Sequence, residues 1–133
     1  MNSNIFAKIK DFFDKNYDLM RHLDINACWE YIVTENNLNQ QAKYHFFLIK
    51  TAESNVLFTT SVPELKPDLT LYFTEKAIIN LIEGTPTPSE YYKRYRNLMN
   101  NPQPGIELDN KVNKPRLKLL KIGYRNWQKE FKF

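Results

Sequence analysis

The segment over residues 67–88 constrains the fold more than any other part of the chain. It reads PDLTLYFTEKAIINLIEGTPTP, an alternating apolar run followed at once by a helical pattern that stops at Gly84. Thr74 suits the N-cap position, Glu75 lies near the positive end of the helix dipole, and glycine commonly follows a last helical turn. The segment therefore predicts a strand at 69–73 that turns directly into a helix.

Three more strands are expected before this joint. Apolar and polar residues alternate over residues 26–34, which is typical of a half-buried strand. Residues 44–51 and 56–60 also have strand character, and the turn-forming sequence at 53–55 separates them. These three strands are expected to form an antiparallel meander.

Helical patterns lie on both sides of the strands. Apolar residues recur every three or four positions over 5–23, which predicts an amphipathic N-terminal helix. A helix is expected at 88–99, because Thr87 can cap it and proline suits the first helical position. A fifth strand is expected at 106–112, and a last helix is expected to run over 115–131.

This order of elements indicates an α+β fold in which a five-stranded, mostly antiparallel sheet is covered by helices. A length of 133 residues suits one domain. No internal repeat or linker divides the sequence, so we expect a single domain over 1–133. It would comprise the N-terminal helix at 1–23 and the sheet with its other helices at 26–133.

Composition narrows the class of function. The single cysteine, Cys28, cannot form an internal disulfide, and no apolar run approaches the roughly 18 residues of a membrane span. We therefore expect a cytoplasmic protein. The net charge of +4 would suit nucleic acid or anionic lipid headgroups, although an ordinary solvated surface explains it better.

The N-terminal helix has two interpretations. Its apolar face suits either docking on the domain or transient contact with a membrane surface. An anionic membrane would repel Asp11, Asp14 and Asp18 on the polar face, which favours docking.

No residues combine into a catalytic or metal site. His22 and His45 lack Cys or His neighbours at metal-ligand spacing, and Cys28 occupies a strand position that suits burial. The three glycines are isolated, so no phosphate-binding loop is present. We expect no catalysis, no metal and no cofactor.

The sequence YYKRYR at residues 91–96 mixes aromatic rings with positive charge, as proteins that bind single-stranded nucleic acid do. On the predicted helix, Tyr91 and Tyr95 share one face while Lys93 and Arg96 share another. An ordinary amphipathic helix explains this pattern, so nucleic-acid binding is disfavoured.

The 67–88 segment also matches a family signature. Its matching positions are Asp68, Thr70, Leu71, Phe73, Thr74, Glu75, Ile78, Leu81, Gly84 and Pro88. This pattern resembles that of the sterol carrier protein 2 family of lipid-binding domains. The resemblance implies an apolar tunnel between sheet and helices that accepts a fatty acid, an acyl-CoA or a sterol-like or isoprenoid ligand without catalysis. Periodicity alone favours a filled core.

Apolar side chains from both layers would line such a tunnel. The expected lining is Phe46, Leu48, Leu71, Phe73, Ile78, Ile79, Ile82, Tyr91, Tyr95, Met99, Leu119, Leu120 and Trp127. The first hypothesis is non-catalytic binding or intracellular transfer of a lipid. Tyr91 stands where the family usually has a small residue, and Tyr95 where glycine is common. If they or Met99 close the tunnel, the alternative is a protein-interaction or accessory module of a lipid or quinone pathway.

Overall fold

Five strands and five α-helices make up residues 2–131, the part of the chain that the structure, a computed structural model, describes. A short 3-10 helix follows the first α-helix. In chain order the elements are α1 (Asn2–Lys15), the 3-10 helix (Tyr17–Met20), β1 (Cys28–Thr34), β2 (Tyr44–Ala52), β3 (Asn55–Thr59), β4 (Leu69–Thr74), α2 (Glu75–Ile82), α3 (Pro88–Asn100), β5 (Leu108–Val112), α4 (Arg116–Ile122) and α5 (Tyr124–Phe131). The predicted α+β class is confirmed.

The five strands form one sheet in the order β3-β2-β1-β4-β5. β1 and β4 are parallel, and the other three neighbouring pairs are antiparallel, as the sequence predicts. Tyr31 in the central strand lies opposite Phe46 on one side and Leu71 on the other. Its ring stacks on that of Phe46, with centroids 4.8 Å apart. Aromatic side chains therefore dominate the sheet face that the helices cover.

The joint between β4 and α2 has the predicted caps. The hydroxyl of Thr74 accepts a hydrogen bond from the amide of Ala77 at 3.3 Å and donates one to the carbonyl of Gly105 at 2.9 Å. The hydroxyl of Thr87 accepts a bond from the amide of Glu90 at 3.3 Å. Both caps satisfy helix amides that would otherwise lack a partner, so α2 and α3 begin where their sequences require.

The N-terminal helix ends earlier than predicted. It stops at Lys15 instead of continuing to Leu23. The Asn16 side-chain amide donates to the carbonyl oxygen of Phe12 at 2.6 Å, and this local bond competes with continuation of the helix. Beyond it, the ammonium of Lys50 takes up backbone carbonyls of the following turn, including that of Leu23 at 2.6 Å.

The last predicted helix is two helices. α4 ends at Gly123, whose φ of 111° is left-handed, and α5 begins at the next residue. A Cβ at Gly123 would lie 2.1 Å from the carbonyl oxygen of His22, so the chain can pass there only as glycine. The expectation of one continuous helix over 115–131 was therefore wrong. The bounds of the other elements differ from expectation by at most two residues.

Within residues 2–131, no helix is both long enough and apolar enough to cross a bilayer. In the same part of the chain, no three His, Cys, Asp or Glu side chains are grouped so that they would hold a metal ion.

The two glycine helix ends provide a test of this geometry. Gly84→Ala should lower the free energy of unfolding by about 1 kcal/mol, because its φ is positive but its surroundings are open. Gly123→Ala should cost about 3 kcal/mol or more, because the backbone must also move away from His22. Urea unfolding measures both values. Equal losses would show that the approach of Gly123 to His22 does not constrain the fold.

Candidate functional site

A cavity of about 800 Å³ lies between the sheet and helices α3, α4 and α5. Twelve of its 16 lining residues are aromatic or aliphatic. The lining consists of Trp29, Tyr31, Leu69, Leu71, Tyr91, Tyr92, Tyr95, Asn110, Val112, Arg116, Leu119, Leu120, Tyr124, Arg125, Trp127 and Gln128. A pocket of this size and composition suits a small hydrophobic ligand.

Three neighbouring strands form the floor of the cavity. In the parallel ladder, Trp29 lies opposite Leu69 and Tyr31 lies opposite Leu71. Leu69 in turn lies opposite Val112 of β5. Residues directly opposite each other in a ladder project on the same face, so the register itself gathers these side chains.

Helix α3 supplies a wall of tyrosine rings. Tyr91 is held by stacking on Phe12 of α1, with centroids 5.6 Å apart. Tyr95 packs edge-on against Phe73 at 6.0 Å, and its hydroxyl accepts a hydrogen bond from the Asn110 side-chain amide at 3.3 Å. The α3 face that the sequence presents as amphipathic is therefore fixed on one side by α1 and on the other by the sheet.

A buried chain of hydrogen bonds fixes α5 against the cavity. Trp29 Nε1 donates to the hydroxyl oxygen of Tyr124 at 2.7 Å, and that hydroxyl donates to Asp68 Oδ2 at 2.9 Å. The amide of Cys28 also donates to Oδ2, at 3.1 Å, while the Lys114 ammonium forms an ion pair with Oδ1. Asp68 is fully buried, so these partners replace the water that its carboxylate loses on folding.

A second chain fixes the same helix from its other side. Trp127 Nε1 donates to the hydroxyl oxygen of Tyr92 at 3.1 Å, and that hydroxyl donates to the carbonyl oxygen of Leu19 at 2.8 Å. Both tryptophans of the protein thus line the cavity with their polar nitrogens bound elsewhere. They present apolar ring surface to any ligand.

The cavity phenols are neutral at physiological pH. Burial raises the pKa of Tyr31, Tyr91 and Tyr92, and it raises that of Tyr95 to about 12. Burial, followed in importance by the charge of Asp68, also raises the pKa of Tyr124. The rings can therefore pack on an apolar ligand without introducing charge.

The cysteine near the cavity is not an activated nucleophile. Cys28 is buried on the opposite face of the sheet beside Phe47 and Ile49. Burial, with a further contribution from Asp68, raises the pKa of its thiol to about 11. The thiolate needed for nucleophilic chemistry is therefore scarce at neutral pH.

Polar side chains mark the mouth of the cavity. Asn110, Arg116, Arg125 and Gln128 are its four polar lining residues, and all four are solvent-exposed. Across residues 2–131, no carboxylate is within ion-pair distance of either guanidinium. The mouth therefore offers two cations to a ligand whose apolar part lies inside.

The structure separates the predicted lining residues into two sets. The cavity contains Leu71, Tyr91, Tyr95, Leu119, Leu120 and Trp127. Outside it lie Phe46, Leu48, Phe73, Ile78 and Ile82, which are buried in the core, and Ile79, which is half-buried on α2. Met99 is 43% exposed and lines a separate depression beside Pro102 and Pro104. The isoleucines of α2 belong to a helix that contacts α1, α3 and the sheet, away from α4 and α5.

Several lining residues were not expected from the sequence. Trp29 and Tyr31 alternate on one face of a predicted strand, which was a usable signal. Tyr124 and Arg125 were not identifiable, because the break at Gly123 decides which way the following helix faces. The same applies to Arg116, which a single straight helix would not place beside Arg125.

No family model matches the sequence, and no curated protein matches it. Two solved structures are similar to the chain. One is described as "UbiJ-SCP2 Ubiquinone synthesis protein", with 11% identity, 98% of this chain and 90% of that chain covered, and a TM-score of 0.48. The other is the solution structure of the sterol carrier protein domain 2 of Helicoverpa armigera, with 11% identity, 98% and 87% coverage, and a TM-score of 0.43.

The hydroxyl of Tyr124 gives a test of the buried chain. Tyr124→Phe should lower the free energy of unfolding by about 2 to 3 kcal/mol, because it leaves the Trp29 N–H without its acceptor and removes a donor from buried Asp68. Tyr17→Phe, at a tyrosine that is 38% exposed, is the matched control and should change stability by less than about 0.5 kcal/mol. Chemical denaturation compares the two. Similar small losses would contradict the structural role of the chain.

Proposed function

We propose that this protein binds a lipid in the cavity beneath α4 and α5 and carries it without catalysis. The observation that supports this most strongly is the cavity itself, about 800 Å³ in volume and lined mainly by apolar and aromatic side chains. Close packing is the rule in protein interiors, so a space of this size needs a reason. An apolar ligand supplies one.

Removal of apolar surface from water would provide most of the affinity. Each buried methylene contributes roughly 0.8 kcal/mol before the costs of ordering the ligand. The fixed rings of Trp29 and Trp127 reduce those costs, because their indole nitrogens are already hydrogen-bonded and need not rearrange.

The mouth favours a ligand with an anionic headgroup. Arg116 and Arg125 are exposed at the edge of the cavity, and guanidinium groups bind carboxylate or phosphate oxygens with paired hydrogen bonds. A fatty acid or an acyl phosphate ester meets both requirements. The ligand class is therefore an amphiphile with a long apolar tail and a negative head.

The alternative was an interaction or accessory module whose tunnel is closed by Tyr91, Tyr95 or Met99. The two tyrosines form part of the cavity wall, and Met99 lies outside the cavity. We therefore place lipid binding first. A role beside a lipid or quinone pathway stays compatible with the same cavity.

A fluorescent fatty acid tests the proposal by displacement. Leu119→Trp puts an indole into the space that the ligand would occupy and should weaken binding by about tenfold or more. Leu117→Trp, on the same helix but 75% exposed and outside the lining, should bind like the wild type.

An unlabelled fatty acid should also displace the probe better than a fatty alcohol of equal length, because only the acid can pair with the arginines. Binding that is equally weak in all three proteins would contradict the proposal. Equal competition by acid and alcohol would contradict the role of the mouth.

A further inference from the structure

The positive charge of the chain is concentrated next to the cavity. Eight of the 19 Lys and Arg residues follow Asn110, but only one of the 15 Asp and Glu residues does. That segment carries a formal charge of +7 while the first 110 residues carry −3. Its one carboxylate, Glu130, is taken up by Arg21 and His22. The basic character of the protein is therefore local and not neutralised there.

Apolar side chains are exposed within this basic segment. Leu117 is 75% exposed, Leu120 is 37% exposed, and Val112 at the sheet edge is 54% exposed. No residue of α4 is buried, although four of its seven residues are Leu or Ile. Leu117, Leu120 and Lys121 have the spacing of one helix side, so leucine and positive charge occur together on the outside of α4.

The N-terminal helix lacks this combination. Its apolar residues Ile9, Phe12 and Phe13 are buried against the domain. On its outer side, Lys10 pairs with Asp14 and Lys15 pairs with Asp11. α1 therefore offers neither a free apolar face nor a net positive one.

The exposed basic surface is continuous with the cavity mouth. Arg116, Leu120 and Arg125 line the cavity and also face solvent. A bilayer seated on this surface would lie directly against the opening through which a lipid passes.

We propose that this surface, formed by Arg116, Leu117, Lys118, Leu120, Lys121 and Arg125, docks on an anionic lipid bilayer. The inference extends the proposed function by assigning the surface on which the ligand is exchanged. Juxtaposed cations attract anionic headgroups, and the two leucines can enter the interface. Exposed leucines favour a bilayer over nucleic acid, which would contact the cations alone.

Vesicle sedimentation with the full chain tests the docking surface. The wild type should bind vesicles of phosphatidylcholine with about one-third phosphatidylserine at least about tenfold better than phosphatidylcholine alone. Lys118→Gln/Lys121→Gln should lower that binding by about 30-fold, because each lysine contributes about 1 kcal/mol near an anionic surface. The matched control Lys76→Gln/Lys93→Gln removes two exposed lysines from α2 and α3 and should bind like the wild type.

A second pair isolates the apolar contribution. Leu117→Ser should weaken vesicle binding by about tenfold, whereas Val62→Ser, at a residue 78% exposed elsewhere, should leave it unchanged. Equal effects of the lysine pair and its control would overturn the proposal, because net charge alone would then explain the binding. Tighter binding to a single-stranded oligonucleotide than to vesicles would also overturn it.

The two proposals fail separately. Lys118 and Lys121 do not line the cavity, so their double variant should keep the wild-type affinity for the fluorescent fatty acid. Loss of its vesicle binding alone would support the docking surface. Wild-type fatty-acid binding without vesicle binding would overturn this inference and leave the proposed function intact, and the reverse result would do the opposite.

Discussion

The buried carboxylate of Asp68 connects the elements that enclose the cavity. It accepts hydrogen bonds from the amide of Cys28 on β1 and from the hydroxyl of Tyr124 on α5, and it pairs with Lys114 between β5 and α4. Its backbone adds bonds to Cys28 and Asn113. A charge without water is costly unless it is paired, so these partners must stay in place while the protein is folded. One residue thereby positions the cavity floor relative to the helix that covers it.

The cavity follows from how the two last helices lie. α4 and α5 turn at Gly123, and α5 is fixed through Tyr124, Trp127 and Phe131, which are buried. α4 buries no residue and contributes side chains to the mouth. The firmly held helix thus completes the wall, while the weakly held one presents arginine, lysine and leucine to the surroundings.

Local sequence signals were sufficient for the sheet and the caps. Thr74 and Thr87 were identified as caps because capping depends on a residue and its near neighbours. Asn16 and Gly123 were not identified as breaks, because their effect depends on partners distant in sequence or on competing local bonds. The lining failed for the same reason: Ile78 shares a helix face that any apolar layer would accept, and tertiary packing placed it in the core.

Quenching of tryptophan fluorescence by a brominated fatty acid tests the central claim most directly. The chain has two tryptophans, and both Trp29 and Trp127 line the cavity. A ligand inside the cavity should quench the emission of both, with a saturable titration that the unbrominated acid reverses. Quenching that is absent, or that rises linearly without saturation, would show that the cavity does not hold an acyl chain.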